Sequence, residues 1–179
     1  MRLFYTQKGD KGVSHVGKTK VFKTCLEVEA LGQLDEFNSI IGVLKSQKIS
    51  KELSNILHQV QENLFIIQAH VAYAMLKEKR IPPNFPEVKV RETEKIIDLL
   101  EKKLKPARGF VISGANQISS WLDFLRAKSR NVERSVLKIG KIDKLNPGIK
   151  AYLNRLSSLL FALARWEARG KKERHPKYK

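Results

Sequence analysis

A short N-terminal stretch, GVSHVGKT at 12–19, fits the phosphate-binding pattern G-x-x-x-x-G-K-[ST] letter for letter. In a P-loop nucleotide hydrolase this pattern follows a buried strand and leads into a helix whose N-terminus helps to hold the phosphates. The residues just before it, YTQKGDK at 5–11, are too polar for a buried strand. The pattern therefore does not predict a P-loop fold, although glycines and lysines in this stretch could still bind phosphate for another reason.

Polar residues also cluster in three later segments. They are Glu29, Asp35, Glu36 and Asn38 in the first, Arg126, Arg130, Glu133 and Arg134 in the second, and Asn154, Arg155, Ser158 and Arg165 in the third. The spacing of the second cluster places its side chains on one face of a helix. Each cluster alone is typical of a solvated helix face with i, i+4 pairs. Three such clusters together favour a shared polar cleft.

The elements that must position these residues are helices, because the apolar residues recur every three or four positions. The pattern predicts five helices, at about 26–46, 50–77, 88 to before Pro106, 117–139 and 147–169. Asn146 and Pro147 are a plausible cap and first residue of the fifth. Residues 1–24 show no such period and are predicted to form a loop. With no convincing strand, the chain is predicted to be an all-α five-helix bundle, which also excludes the parallel sheet of a P-loop hydrolase.

The composition predicts one folded domain of 179 residues with a hydrophobic content of 42% and a formal charge of +17. That charge favours a polyanionic ligand without identifying it. The single cysteine excludes an internal disulfide, and no apolar stretch is long enough for a signal peptide or a bilayer span. We expect a cytoplasmic protein with an N-terminal loop at 1–24, a helical domain at 25–170 and a mobile basic tail at 171–179.

Five segments carry a family resemblance. They are FYTQKGDKG at 4–12, VGKTKVFK at 16–23, VEALGQLDEFNSIIG at 28–42, FVISGANQISSWLDFLRAKSRNVER at 110–134 and YLNRLSSLLFALAR at 152–165. In the same order they resemble YTRTGDxG, GGxRVxK, VEAxGxVDELNSxIG, FILPGG…LHxARxxxRRAER and YLNRLSDLLFxLAR of the PduO-type ATP:cob(I)alamin adenosyltransferases. Five motifs in one order over nearly the whole chain make a specific resemblance, and only the middle helices are generic.

The resemblance implies a five-helix bundle that assembles as a homotrimer, with active sites between neighbouring subunits. Members of this family transfer the 5′-deoxyadenosyl group of ATP to cob(I)alamin, forming adenosylcobalamin and triphosphate. Cobalt is the nucleophile, so the protein positions the reactants and stabilises charge on the triphosphate. Mg²⁺ would bridge the phosphates and keep most of its ligands from ATP and water. The sequence shows no dedicated metal-ligand cluster. A reductase and an adenosylcobalamin-dependent enzyme are the expected partners.

The same resemblance implies the ATP-binding residues. They are Thr6, Gly9, Asp10, Gly12 and Lys23 in the N-terminal loop, and Arg130, Glu133 and Asn154 in the bundle. Glycines let backbone N–H groups approach phosphate oxygens, and Lys18, Lys20 and Lys23 could neutralise them. Arg130 suits a bidentate phosphate contact that lysine cannot make. A flexible basic arm remains the alternative interpretation of the N-terminal lysines.

Three further positions match residues that the family uses near the corrin. Asp35 and Arg126 match a salt bridge across the subunit interface. Phe110 matches an aromatic residue that covers the lower face of the corrin and displaces its nitrogenous lower ligand, which eases reduction to Co(I). Without the flanking matches, Phe110 would be interpreted as core packing after a loop.

The chain departs from the family motifs at several positions. They are Gln7, Lys8, Lys18, Ser113, Ala115, Asp123, Asn131 and Ser158. Asn131 and Ser158 matter most, because the family motifs have an Arg at the first of these positions and an Asp at the second. If those two residues pair in relatives, their joint loss could be neutral, whereas turnover would weaken if either contacts ATP.

Two alternatives to the enzyme therefore stay open. The first is a protein of the same fold that binds ATP or cobalamin without turnover. The second is a basic nucleic-acid-binding helical protein, whose affinity would fall steeply with salt. The chain has no helix-turn-helix or aromatic stacking signature in support of nucleic acid, so this alternative ranks last.

Overall fold

A computed structural model of the chain describes residue 5 and residues 7–76, 80–104, 109–139 and 145–178. Its elements are β1 (Val13–Val16), β2 (Thr19–Phe22), α1 (Leu26–Lys45), α2 (Lys51–Met75), α3 (Val88–Leu104), α4 (Gln117–Leu137) and α5 (Pro147–Ala168). The predicted five-helix, all-α class is confirmed, and the helix bounds agree with the prediction to within about two residues. The two short strands were not predicted.

The unpredicted strands form an antiparallel hairpin that contains the phosphate-binding pattern. Val16 pairs with Thr19, so the two residues between them make the turn, and Gly17 adopts a φ of +59° there. Two-residue hairpin turns require a positive φ, which glycine adopts without strain. In the described part of the chain the sheet has only these two antiparallel strands. The pattern is therefore a hairpin turn and not the strand-to-helix loop of a P-loop hydrolase.

The start of α5 is fixed by its cap. The Asn146 side chain accepts a hydrogen bond from the Gly148 N–H at 2.8 Å, which confirms the predicted cap. Its Nδ2 donates to the Phe85 carbonyl at 3.1 Å, and the buried Phe85 ring meets the Tyr152 ring edge-on at 5.4 Å. The connection between α2 and α3 is thereby attached to the first turns of α5.

The start of α4 is attached to the end of α5. Asn116 and Ser119 form a reciprocal capping box, in which each side chain accepts from the other residue's backbone N–H. Asn116 Nδ2 also donates to the Glu167 carbonyl at 2.7 Å. The segment before α4, which carries Phe110, therefore enters the bundle beside the C-terminal end of α5.

The core lies between the helices, with α4 packed against α5 and α1, α3 against α5, and α2 against α1. The apolar residues that recur every three or four positions in α5 are buried, as the helical pattern predicts: Leu153, Leu156, Leu160 and Leu163. Trp166 is partly buried against this core, and the Arg169 guanidinium stacks 4.1 Å from its ring. Among the described helices, none is long and apolar enough to cross a membrane.

Replacing Leu57 with alanine should destabilise the fold much more than replacing Leu99. Leu57 is 0% exposed in α2 and its loss leaves a cavity, whereas Leu99 in α3 is 49% exposed. We expect Leu57→Ala to lower the free energy of unfolding by about 2–5 kcal/mol, and Leu99→Ala by about 1 kcal/mol or less. Urea unfolding followed by circular dichroism measures both, and equal losses would contradict this packing.

Candidate functional site

A cavity of about 670 Å³ opens between α3, α4, α5 and the segment that precedes α4. Its wall combines apolar side chains with a band of polar and charged ones. The polar members are Glu101, Ser113, Asp123, Arg126, Arg130, Ser157, Ser158 and Arg165. A site of this size, with convergent charged groups and an apolar wall, suits a large ligand that carries both anionic and apolar parts.

Phe110 lines this cavity with its ring largely in solvent. The residue is 76% exposed, so the alternative that it is a core residue is wrong for this chain. The preceding Gly109 has a φ of +131°, a conformation that side chains rarely adopt, and it turns the chain into the cavity wall. The Phe110 carbonyl accepts a hydrogen bond from His175 Nδ1 at 3.0 Å. An exposed aromatic ring held by its backbone is available to a ligand.

Arg126 and Arg130 lie one turn apart on α4, and both line the cavity. Arg130 is exposed, whereas Arg126 is half-buried and its buried Nε has no hydrogen-bond partner among the described residues. An unpaired buried donor is costly, so this N–H is available to an acceptor that the described residues do not supply. The two guanidinium groups give this wall its positive charge.

Asp35 is not paired with Arg126 inside the chain. Its side chain is exposed on α1, and within the described residues it makes neither a hydrogen bond nor an ion pair. The neighbouring Glu36 instead bridges α1 to α4 through Lys128, with 2.5 Å between Oε2 and Nζ. Among the described residues, the predicted Asp35–Arg126 salt bridge is therefore not formed within the chain.

Glu133 and Asn154, predicted to act together, are in contact. Asn154 Nδ2 donates to Glu133 Oε1 at 3.1 Å, and Asn154 Oδ1 accepts from Arg155 Nη1 at 2.8 Å. Arg155 Nε in turn donates to Glu94 Oε1 at 2.8 Å. This chain of hydrogen bonds fixes the orientation of the Asn154 amide. It places a polar group from α5 beside the Arg130 face of α4.

The predicted residues of the N-terminal loop also come together, except Thr6, which lies outside the described residues. The Lys23 N–H donates to the Gly12 carbonyl at 3.0 Å, and the Gly12 N–H to the Gly9 carbonyl at 3.3 Å. A Cβ atom at residue 9 would lie 3.0 Å from Lys23 Nζ, so glycine leaves room for the ammonium group. Asp10 is exposed in the same turn. In the described part of the chain, no hydrogen bond or ion pair joins these residues to Arg130, Glu133 or Asn154.

The ion pairs of Arg165 were not predicted from the sequence, although Arg165 was among the polar residues expected to share a cleft. Arg165 is only 7% exposed, and its Nη2 donates to Asp123 Oδ2 at 2.5 Å while its Nη1 donates to Glu173 Oε1 at 2.6 Å. The guanidinium also stacks 5.1 Å from the Phe161 ring. Its position among buried residues of α5 was the available signal, because a buried charge needs a partner.

The two main departures from the family motifs lie in different surroundings. Ser158 is exposed and lines the cavity, whereas Asn131 accepts a hydrogen bond from Arg134 on the α4 surface. Among the described residues the two side chains do not contact each other. Of these two departures, only Ser158 lies in the wall of the candidate site.

Comparison with known proteins identifies the family. The sequence model described as cobalamin adenosyltransferase matches residues 4–167. The chain is 33% identical over 168 residues to a corrinoid adenosyltransferase of Citrobacter freundii, covering 93% of this chain and 96% of that protein. It is 32% identical over 173 residues to a corrinoid adenosyltransferase of Mycobacterium leprae, covering 90% and 88%.

Solved structures agree with the sequence matches. The fold is similar to that of a variant PduO-type ATP:corrinoid adenosyltransferase from Lactobacillus reuteri complexed with cobalamin and ATP. The TM-score is 0.89 at 28% identity, over 98% of this chain and 97% of that one. A second variant of that protein, complexed with ATP, gives a TM-score of 0.87 at 28% identity, over 98% and 100%. Both comparisons confirm the resemblance found in the five motifs, and the chain belongs to the cobalamin adenosyltransferase family, among its PduO-type members.

Proposed function

We propose that this chain transfers the 5′-deoxyadenosyl group of ATP to cob(I)alamin at the cavity between α3, α4 and α5. The observation that carries the proposal is the exposed Phe110 ring beside two arginines, in a chain of this family. The similar Lactobacillus reuteri structures hold cobalamin and ATP, which supports both as ligands here. The apolar wall suits the corrin, and the arginines suit the phosphates.

The reaction needs no nucleophile from the protein. Co(I) of the corrin attacks the 5′ carbon of ATP, a Co–C bond forms, and the C5′–O bond breaks. Triphosphate leaves with the bonding electron pair. The residues of this chain therefore hold the two reactants in line and stabilise the negative charge that grows on the triphosphate. Co(I) must be supplied by a reductant, so a reductase remains an expected partner.

The triphosphate would be held from two sides. The turn containing Gly9 and Gly12 places the Lys23 ammonium beside Gly9, and Arg130 offers a planar fork. We further propose that Mg²⁺ accompanies ATP and keeps most of its ligands from the phosphates and water. Glu133 has an oxygen donor of the kind that Mg²⁺ prefers, held in place by Asn154.

We propose that the working unit is a homotrimer whose active sites lie between subunits. Two features support this. The N-terminal loop and the Arg130 cluster are not linked within the described part of one chain, although both are implied in ATP binding. Arg126 has an orphaned buried Nε and Asp35 an unpaired carboxylate, which could satisfy each other between neighbours. A cytoplasmic location and a downstream adenosylcobalamin-dependent enzyme stay predictions.

A binding protein without turnover is the second candidate function. It is favoured by Ser158, which lies in the cavity wall where relatives carry a carboxylate. Such a protein would bind ATP and the corrin but release no triphosphate. The two candidates differ in product formation and not in ligand binding.

Replacing Arg130 with alanine should raise the ATP concentration needed for half-maximal activity. Loss of a bidentate guanidinium contact to phosphate costs on the order of 2 kcal/mol, which corresponds to about thirtyfold. Arg130→Lys should recover only part of this, because an ammonium group cannot make two parallel hydrogen bonds. Initial rates across an ATP series measure both variants, with Lys138→Ala as a control on the exposed end of α4. Unchanged ATP dependence in Arg130→Ala would remove this residue from the site.

Replacing Phe110 with alanine should impair adenosylation of cobalamin more than that of a corrin that lacks the nitrogenous lower ligand. The ring is proposed to displace this ligand, so a corrin without it has no need of the ring. We expect a loss of about a hundredfold with cobalamin and a much smaller one with the truncated corrin. Phe22→Ala, a similarly exposed phenylalanine in β2, is the control. Equal losses with the two corrins would refute the role of Phe110.

Reversing the charges of Asp35 and Arg126 tests whether they meet between subunits. Asp35→Arg and Arg126→Asp should each inactivate the protein when present alone, because like charges then face each other. Mixed by unfolding and refolding together, the two variants should regain part of the activity, since each mixed trimer contains one interface with the original pair, one with the reversed pair and one with like charges. Each variant refolded by itself is the control. A lack of recovery in the mixture would contradict an intersubunit pair.

A further inference from the structure

The C-terminal segment lies directly against the chain that carries Phe110. The Ile112 N–H donates to the Arg174 carbonyl at 2.8 Å, in an isolated antiparallel bridge. Next to this bridge, His175 Nδ1 donates to the Phe110 carbonyl at 3.0 Å. The segment differs here from the mobile tail expected from composition, because it makes two hydrogen bonds to the backbone on either side of Val111.

The segment at 110–113 has little to hold it in place by itself. It lies between Gly109 and Gly114, which adopt φ values of +131° and +119°. Phe110 is 76% exposed and Ile112 49% exposed, so their side chains pack only in part against the rest of the chain. Glycine flanks and exposed side chains leave a backbone with many accessible conformations. An external contact is therefore needed to keep the Phe110 ring at the cavity.

The external contact is anchored in the bundle through Glu173. This carboxylate accepts from Arg165 Nη1 at 2.6 Å, and Arg165 is buried and also paired with Asp123. Water screens an ion pair with a buried guanidinium less than it screens a surface pair. The neighbouring Lys171 and Lys172 are exposed and hold nothing comparable. Without Glu173, residues 173–175 would keep, among the described residues, only their two hydrogen bonds to Phe110 and Ile112.

The backbone at 173–175 connects the Glu173–Arg165 ion pair to the hydrogen bonds at Phe110 and Ile112. Side chains two residues apart in an extended chain point to the same side. Glu173 and His175 accordingly both face the bundle, one reaching Arg165 and the other the Phe110 carbonyl. The Arg174 carbonyl between them is the acceptor for Ile112. Fixing Glu173 therefore fixes both hydrogen bonds to the 110–112 backbone.

We propose that Glu173 is a positioning residue for Phe110: through its ion pair with Arg165 it holds residues 173–175 against residues 110–112 and thereby sets the aromatic ring at the cavity. This inference rests on the proposed function, in which Phe110 displaces the lower ligand of cobalamin. Glu173 does not contact the reactants itself. Its removal should therefore reproduce the corrin selectivity of a Phe110 defect without changing the ATP requirement.

The functional test compares Glu173→Ala, Glu173→Gln and the control Lys172→Ala with two corrins. For Glu173→Ala we expect kcat with cobalamin to fall about tenfold, while the KM for ATP and the activity with a corrin lacking the lower ligand stay within about twofold. Glu173→Gln keeps a hydrogen-bond acceptor but loses the charge, so it should retain part of the activity. Lys172→Ala should behave as the unchanged protein. Equal losses on both corrins would overturn the positioning role.

A second measurement needs no activity. Amide hydrogen exchange at Ile112 should be slow in the unchanged chain, because this N–H is bonded to Arg174, and should become faster in Glu173→Ala but not in Lys172→Ala. Unchanged exchange at Ile112 in Glu173→Ala would overturn the anchor. Suppose that exchange changes as expected while the unchanged chain adenosylates neither corrin. In that case the ion pair of Glu173 does hold the segment, but the proposed function and the role of Glu173 in it are both wrong.

Discussion

Burying the apolar stripe of α5 against α4 and α3 is the constraint on which the site depends. Four leucines of α5 are buried against α4 and α3. The neighbouring polar positions of this helix must therefore lie at the edge of that contact. Ser158 and Arg165 lie there, in the wall of the cavity, and Asn154 lies where it meets Glu133 of α4. The hydrophobic packing that stabilises the bundle also fixes the directions of the polar groups that would bind the ligands.

The same packing explains why Arg165, a charged residue in the cavity wall, is buried. Arg165 lies in the cavity wall with only 7% exposure, where a lone guanidinium would be strongly destabilising. Its two terminal nitrogens pair with Asp123 of α4 and Glu173 of the C-terminal segment. Asp123 is one of the positions at which this chain departs from the family motif. One buried arginine thus joins the core, the cavity and the C-terminal segment.

The sequence predicted the fold where local patterns were strong and missed it where they were weak. Helix α5 has a complete apolar stripe and a cap at Asn146, and both were confirmed. The hairpin at 13–22 has strands of four residues with only Val13 buried, too short for a period to stand out. The pairing of Arg165 with Glu173 depends on how the chain turns after α5. The spacing of residues within a helix cannot predict that turn. For Phe110, the residues alone favoured a core position, and its exposure became visible only in the fold.

Anaerobic incubation with ATP, Mg²⁺ and chemically reduced cobalamin, followed by visible spectroscopy, tests the central claim most directly. An adenosyltransferase must break one C5′–O bond for every Co–C bond it forms. We therefore predict a light-sensitive adenosylcobalamin spectrum, together with triphosphate released in equal amount. Binding of ATP without either product would contradict this claim and favour a binding protein of the same fold, with Ser158 in the cavity as the first position to restore to a carboxylate.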